Sequence, residues 1–558
     1  MTALNDSRHF RTFGSSTFVL SCFAAVFLLS FPAAAQKPLE KHTTGVTTPH
    51  TPAHQKVRPD AARFHARVDA ALADAHAQKA SWGVLVADRD TGETLYELNA
   101  DRFFTPASNA KLFTSALALA TLGSVYQFRT TLESRGTLGT DGRLSGDLIL
   151  VGRGDPDLSN RKFPYQGKVE REGPAEKALV ELADAAAAKG LKEIDGDVVA
   201  DDTYFPYDPY PAGWSVGDLF FSFGAPVSAI AFNDNTISIE VQPGVRPGDP
   251  ASVSVEPWAA RENLTDAIST SPADEKPALA VVRQPGPDFI LLRGSIPLGH
   301  VPIKLDLAMT EPAESAARAL KQLLEARGVR ITGGISVRHA PPPESMEAVD
   351  PPPGPVAPQP PVDSNSIVLA EHMSPPLLEI VRVTNKVSHN LHAELLLRTV
   401  ARERAGTGST EAGINVEQDF LKTAGIADGD VVFSDGSGLS RDNLVTPRAV
   451  VALLRYAATQ MWGADYVSTL GIAGVDGTLE TRMTGTAAAG LIQAKTGAIE
   501  HVRSMSGYAT TLRGEHIVFA IFGNNNPQHG RDATEAIDAI GVAMVETLGL
   551  PRAPKKKE

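Results

Sequence analysis

The chain has 558 residues, enough for three or four domains, with 42% hydrophobic residues, 21% charged residues and a net charge of −13. That balance excludes wholesale disorder and a polytopic membrane protein, and the acidic surplus argues against nucleic acid as a partner, since that needs a basic face. A single cysteine, Cys22, rules out a disulfide framework and a cysteine-built zinc site.

The first twelve residues carry Arg8 and Arg11 against one acid, Asp6. The apolar run Phe18–Phe31 follows, and Ala33-Ala34-Ala35-Gln36 closes it. These are the parts of a signal peptide over 1–35, whose core is short for a spanning helix. A retained anchor is the alternative. Cleavage after Ala35 takes Cys22 away and leaves a periplasmic or secreted chain.

Residues 36–60 show no hydrophobic period and read as a flexible linker. Its histidines, His42, His50 and His54, lack ligand spacing, and no metal or cofactor is expected. A helix is predicted over Ala61–Gln78, then strands Trp82–Asp88 and Glu93–Leu98 around a turn. A second helix runs from Pro106 to Leu122, where Gly123 stops it. From about 125 short strand-like runs dominate, broken by helical stretches Pro174–Ala188 and Pro312–Arg327, so 131–340 read as β-rich accessory domains. Residues 341–361 hold ten prolines, and 341–364 form a stiff linker. Helices are predicted at Pro376–Asn385 and His389–Ala405. Strands Ser504–Leu512 and His516–Gly523, a helix Gly530–Leu548 and a basic tail, 549–558, end the chain.

Three short motifs carry chemistry. Ser108-Asn109-Ala110-Lys111 opens a helix, where spacing i, i+3 puts hydroxyl and amine on one face. A serine nucleophile needs a base beside it, and an amine kept neutral can serve. Alone, the motif reads equally as a helix-start serine with a solvated lysine. Ser388-His389-Asn390 opens the next helical stretch, and helix capping would by itself explain a serine there. Lys495-Thr496-Gly497 lies in strand-like sequence, and alone it reads as an edge strand with an exposed lysine. In this order and in these contexts, the three form the motif set of β-lactamases and penicillin-binding proteins.

The chain most resembles the class C low-molecular-mass penicillin-binding proteins, the D-alanyl-D-alanine carboxypeptidase/endopeptidase family. Ser108 and Ser388 stand 280 residues apart, a separation that fits domains inserted between the first two motifs. Asp435-Gly436-Ser437-Gly438-Leu439-Ser440-Arg441, Gly474-Val475-Asp476-Gly477-Thr478-Leu479, Gly152-Arg153-Gly154-Asp155-Pro156 and Phe232-Asn233-Asp234-Asn235 also resemble sequences of that family. The resemblance implies an α+β fold: a split serine β-lactamase/penicillin-binding transpeptidase-like domain over 61–130 and 365–548, an antiparallel sheet flanked by helices, with the β-rich accessory domains inserted.

It also implies roles. Ser108 attacks the substrate carbonyl, and Lys111 takes its proton, its pKa depressed by burial and by Lys495. Ser388 and Asn390 relay a proton to the leaving amine and hold the substrate amide. Lys495 and Thr496 bind the terminal carboxylate beside Gly497, and the N–H groups of Ser108 and Ala498 form the oxyanion hole. Ala498 departs from the family's serine or threonine and removes one hydroxyl. Asp208 and Arg441 are expected to meet the amino and carboxylate groups of a diaminopimelate stem. The implied partners are peptidoglycan stem peptides and, as covalent inhibitors, β-lactams; homodimerisation is left open. The alternatives are a β-lactamase and a non-catalytic peptidoglycan-binding protein on the same scaffold.

Overall fold

The structure, a computed structural model, describes residues 58–74, 77–167, 170–258, 264–283, 289–342, 365–527 and 531–549. The expected signal peptide 1–35, nearly all of the 36–60 linker, most of the proline-rich linker and the basic tail lie outside the described residues.

A six-stranded antiparallel sheet draws on both ends of the chain. Its order is Thr94–Leu98, Ser81–Asp88, His516–Asn524, Val502–Thr510, Ile492–Ile499 and the short Gly471–Ile472. The two-residue period of a strand explains its two-sided burial. Val84 and Val86 join Ile517, Phe519 and Ile521 in one core, while Leu85 and Ala87 join Val518, Ala520 and Phe522 in another. Helices Pro59–Leu72 and Arg531–Thr547 pack on each other and share the first core through Phe64, Val68, Ile537 and Ile540. Helices Lys111–Leu122 and Pro447–Thr459 share the second. The first helix ends at Leu72, short of the predicted Gln78. Trp82 donates its indole N–H to the Ala77 carbonyl, so the chain has turned back there to start the strand.

Between the halves of this sheet, a five-stranded sheet orders Ile335–Ala340, Val198–Pro206, Leu148–Val151, Arg129–Ser134 and Ile367–Met373. The first two pairings are parallel, and parallel neighbours need crossovers. Helices Lys177–Ala188 and Pro312–Glu325 supply them, packed on the sheet by Leu179, Leu182, Ala316 and Leu320. Two three-stranded sheets and a four-stranded sheet of short strands complete the insert.

The strand Ile367–Met373 pairs with Arg129–Ser134, so the chain leaves the inserted part at Ser374 and not at the expected 365. A buried clasp marks the crossover: Phe128 N–H donates to Ser374 Oγ at 2.9 Å, and Ser374 N–H donates to the Phe128 carbonyl at 3.0 Å. Among the described residues no helix is long and apolar enough to cross a membrane. Ser374→Ala leaves the buried Phe128 N–H unsatisfied and is expected to cost about 1–3 kcal/mol, read from the midpoint of denaturant unfolding.

Candidate active site

The first motif is a 3₁₀ turn, Ala107–Ala110, running into the α-helix Lys111–Leu122. In a 3₁₀ turn residues three apart eclipse, so Ser108 and Lys111 stand side by side, with Lys111 Nζ donating to Ser108 Oγ at 3.0 Å. Asn109 Nδ2 donates to Ser504 Oγ (2.5 Å), which donates to the Pro106 carbonyl (2.8 Å), tying the turn to the sheet. Ala107 takes a φ of +48°, a strain of about 1–3 kcal/mol for a residue with a Cβ. Gly438 closes on its carbonyl so tightly that a side chain there would overlap it.

Lys111 is fully buried. Its amine also donates to Asn390 Oδ1 and to the Ser437 carbonyl, both at 2.6 Å. Burial drives its pKa down to about 7 against the opposing pull of Asp435 and Glu394. A half-neutral amine in hydrogen-bond reach of a hydroxyl can act as its general base. The depression expected from Lys495 is not the source. The influence falls on Lys495, which burial and then Lys111 push well below the ordinary lysine range.

Ser388 joins helices Leu377–Lys386 and Asn390–Ala405 with a φ of +65°. The N-cap of the second helix is His389, so capping does not account for Ser388. Its Oγ instead accepts from Lys495 Nζ at 2.8 Å. Asn390 reaches both ways, accepting from Lys111 and donating Nδ2 to the Phe223 carbonyl of the insert at 2.8 Å.

Lys495 lies in the strand Ile492–Ile499 and is fully buried, not an exposed edge lysine. Among the described residues, both of its hydrogen-bond partners are neutral oxygens: Ser388 Oγ and the Thr496 carbonyl. A buried ammonium with neutral partners is costly, and an incoming anion would relieve it. The outer strand Gly471–Ile472 pairs only as far as Ala494, leaving 495–499 as an open edge. Ala473 bonds the Ile492 carbonyl from that side, and alternation turns the main-chain groups of Thr496 and Ala498 the same way. Thr496 Oγ1 donates to Thr478 Oγ1 at 2.7 Å. Gly497 faces the Ser108 turn, where a Cβ would overlap Ser504 Oγ and crowd the Pro106 carbonyl.

Sequence reasoning gave no role to the loop that aims Ser437. Buried Asp435 accepts from the N–H groups of Gly438 (2.8 Å) and Ser440 (2.7 Å), from Asn443 Nδ2 (2.7 Å) and from Trp214 Nε1 of the insert (2.8 Å). Buried Glu394 accepts from Gly436 N–H (3.1 Å) and Ser437 N–H (2.8 Å). Burial and then Asp435 raise Glu394 to about 7. The available signal was an acid four residues after Asn390 and therefore on the same helix face.

Asp208 and Arg441 each have a partner within the protein. The Asp208 carbonyl accepts from buried Arg398 at 2.5 Å, and its half-exposed carboxylate lies 3.9 Å from the same group. Arg441 pairs with Asp218 at 2.7 Å. Asp218, which sequence reasoning passed over, lies in the insert loop that also carries Phe223.

The model of the D-Ala-D-Ala carboxypeptidase 3 (S13) family matches residues 64–350 and 355–544. A D-alanyl-D-alanine carboxypeptidase of an Actinomadura species is 33% identical over 494 residues, covering 86% of this chain and 84% of that protein. The D-alanyl-D-alanine carboxypeptidase DacB of Haemophilus influenzae is 28% identical over 448 residues, covering 79% and 85%. The crystal structure of penicillin binding protein 4 from the same species aligns with a TM-score of 0.70 at 25% identity, over 86% of this chain and 99% of that one. The expected α+β class is therefore shared with a solved relative over nearly its whole length.

Gly497→Ala drives a methyl group into Ser504 and the Pro106 carbonyl. It is expected to lower stability by about 1–3 kcal/mol, seen as a reduced melting temperature.

Proposed function

The chain belongs to the D-Ala-D-Ala carboxypeptidase 3 (S13) family, and on that premise we propose that it is a serine DD-peptidase working through an acyl-enzyme. The observation that carries this reading is the contact of Lys111 Nζ with Ser108 Oγ at 3.0 Å, with the amine buried to a pKa near 7. Neutral Lys111 takes the Ser108 proton as Oγ attacks the carbonyl of the penultimate D-alanine. The oxyanion forms against the N–H groups of Ser108 and Ala498. The amide C–N bond then breaks, and Ser388, bonded to Lys495, passes a proton to the departing amine. Asn390 holds Lys111 and the substrate amide. Water later cleaves the acyl ester, with Lys111 again as base.

The terminal carboxylate of the substrate supplies the counter-charge that Lys495 lacks. Thr496 adds one hydroxyl, and Thr478, in contact with it, offers a second where Ala498 has none. Arg441 with Asp218, beside Phe223, suits a side chain bearing both an amine and a carboxylate, as in a diaminopimelate stem. Action on cross-links as well as on free D-Ala-D-Ala ends belongs to the same reading, as do export through residues 1–35 and acylation by β-lactams. A β-lactamase would need a group that activates water at the ester. Glu394 and Asp435, the acids that raise Lys111, are both occupied by main-chain N–H groups, which supports the peptidase over that alternative.

Mass spectrometry after penicillin treatment is expected to find a stoichiometric adduct that Ser108→Ala abolishes. No adduct on the wild type, or one that persists in the variant, overturns the assignment, and rapid nitrocefin turnover would favour the β-lactamase. Product masses from monomeric and cross-linked muropeptides separate carboxypeptidase from endopeptidase action.

The pH dependence of acylation carries a sign. Lys111 is the base when neutral, so the rate is expected to rise with pH through a midpoint near 7. Glu394→Gln removes a carboxylate that favours the ammonium, so the midpoint moves to lower pH. Stopped-flow acylation across pH 5–9 reads this, and an unmoved midpoint refutes the coupling.

A further inference from the structure

The insert sends one buried carboxylate into the second motif. In Phe232-Asn233-Asp234-Asn235 three successive residues take left-handed backbone, with φ of 47°, 56° and 55°, a costly run for residues with side chains. The bend is held from several sides. Asn233 N–H donates to the Leu158 carbonyl (2.9 Å), Asn233 Nδ2 to the Thr236 carbonyl (2.9 Å) and Asn235 Nδ2 to the Pro226 carbonyl (2.8 Å). What it presents is Asp234, 1% exposed. Arg161 donates to Asp234 Oδ2 through Nε at 3.0 Å and pairs with it through Nη2 at 2.8 Å, and Arg171 donates to the same oxygen. His392 Nε2 lies 3.0 Å from Oδ1, and His389 Nε2 lies 3.4 Å from Oδ2.

His389 is the residue between Ser388 and Asn390. As N-cap of the helix Asn390–Ala405, it accepts the His392 N–H at Nδ1, at 3.4 Å. A neutral ring that accepts at Nδ1 carries its hydrogen on Nε2, the nitrogen that faces Asp234. The usual N-caps are short hydroxyl, amide or carboxylate side chains; an imidazole fills the role only while its plane is held. Burial, then His392, push the His389 pKa down to about 3, so the ring stays neutral. Burial opposes the charge of Asp234, but Arg161, His389 and Arg171 hold its carboxyl well below the usual range. Ser388, one residue before the ring, has a φ of +65°, which persists only where the surroundings over-determine it.

We infer that Asp234 is a positioning residue for the reaction proposed above: by holding the Nε2–H of His389, it locks the Ser388-His389-Asn390 turn that brings Ser388 Oγ to Lys495 and Asn390 Oδ1 to Lys111. The inserted part of the chain thereby completes the catalytic centre. Ligand atoms of Asp234, His389 and His392 also lie within 4.8 Å of one another, a spacing that would suit a cation. Two guanidinium groups already take the carboxylate, however, and a divalent ion would sit against both charges. The structure therefore favours the positioning role.

The test compares the full-length wild type with D234N, H389N and the double variant. H389N keeps a good helix cap and is the safeguard should D234N fold poorly. Each single substitution is expected to slow acylation by a fluorescent penicillin about tenfold or more, with a change of under about threefold in the half-saturating concentration. The double variant is expected to be no slower than the slower single, because both break one link. Wild-type acylation rates in H389N, or effects that multiply in the double variant, overturn the inference. Nitrogen-15 NMR of the histidine rings gives a readout independent of activity: the Nε2–H tautomer of His389 is expected in the wild type and lost in D234N. An unchanged tautomer overturns the inference, as does one equivalent of tightly bound zinc that D234N releases. A wild type with no penicillin adduct would instead sink the peptidase reading, and the ring measurement would still decide the Asp234 link.

Discussion

Removing a lysine amine from water is expensive, and this structure does it twice within one cluster. Lys111 and Lys495 are both fully buried, and each ammonium form is disfavoured by desolvation. For Lys111 the balance is set finely. Burial lowers the pKa, while Asp435 and Glu394 raise it, and the result lies near neutrality. The packing around the cluster serves that balance. The 3₁₀ turn eclipses Ser108 over the amine, the strand Ile492–Ile499 closes one side, and the Asp435–Gly438 loop offers a carbonyl in place of water.

The inserted part of the chain contributes directly to this arrangement, through the loop that follows the strand Val198–Pro206. Trp214 bonds Asp435, the Phe223 carbonyl receives Asn390, and Asp218 holds Arg441. The buried clasp between Phe128 and Ser374 binds the entry and exit of the insert together. An insertion of this size between the first two motifs therefore does not loosen the site; it supplies part of the wall, and its polar contacts reach the second motif and the loop behind Lys111.

Much of the architecture was legible because its causes are local. Unbroken apolar runs in Trp82–Asp88 and His516–Gly523 marked strands, and Gly123 marked the end of its helix. The errors were also local in origin. The first helix was read through to Gln78 because alanine and glutamine favour helix, whereas the start of the sheet required the chain to turn back. The strand Ile367–Met373 went unread, and with it the pairing to Arg129–Ser134, since partners more than two hundred residues away leave no trace in a strand's own pattern. The pairing of Arg441 with Asp218 could not be read from the chain, because the two lie more than two hundred residues apart and only the fold brings them together.

The sequence by itself determined the three motifs, their order, the helix and strand contexts of the first and third and the presence of a large insert, since these follow from residue type and short-range periodicity. Tertiary structure alone decided the rest. The protonation balance of Lys111 depends on how completely the fold excludes water and on carboxylates brought from more than two hundred residues away. The neutral partners of Lys495, the cap at His389 and the reach of Asp234 into the second motif depend likewise on long-range packing, because electrostatic energies are set by distance and burial in space and not by separation along the chain.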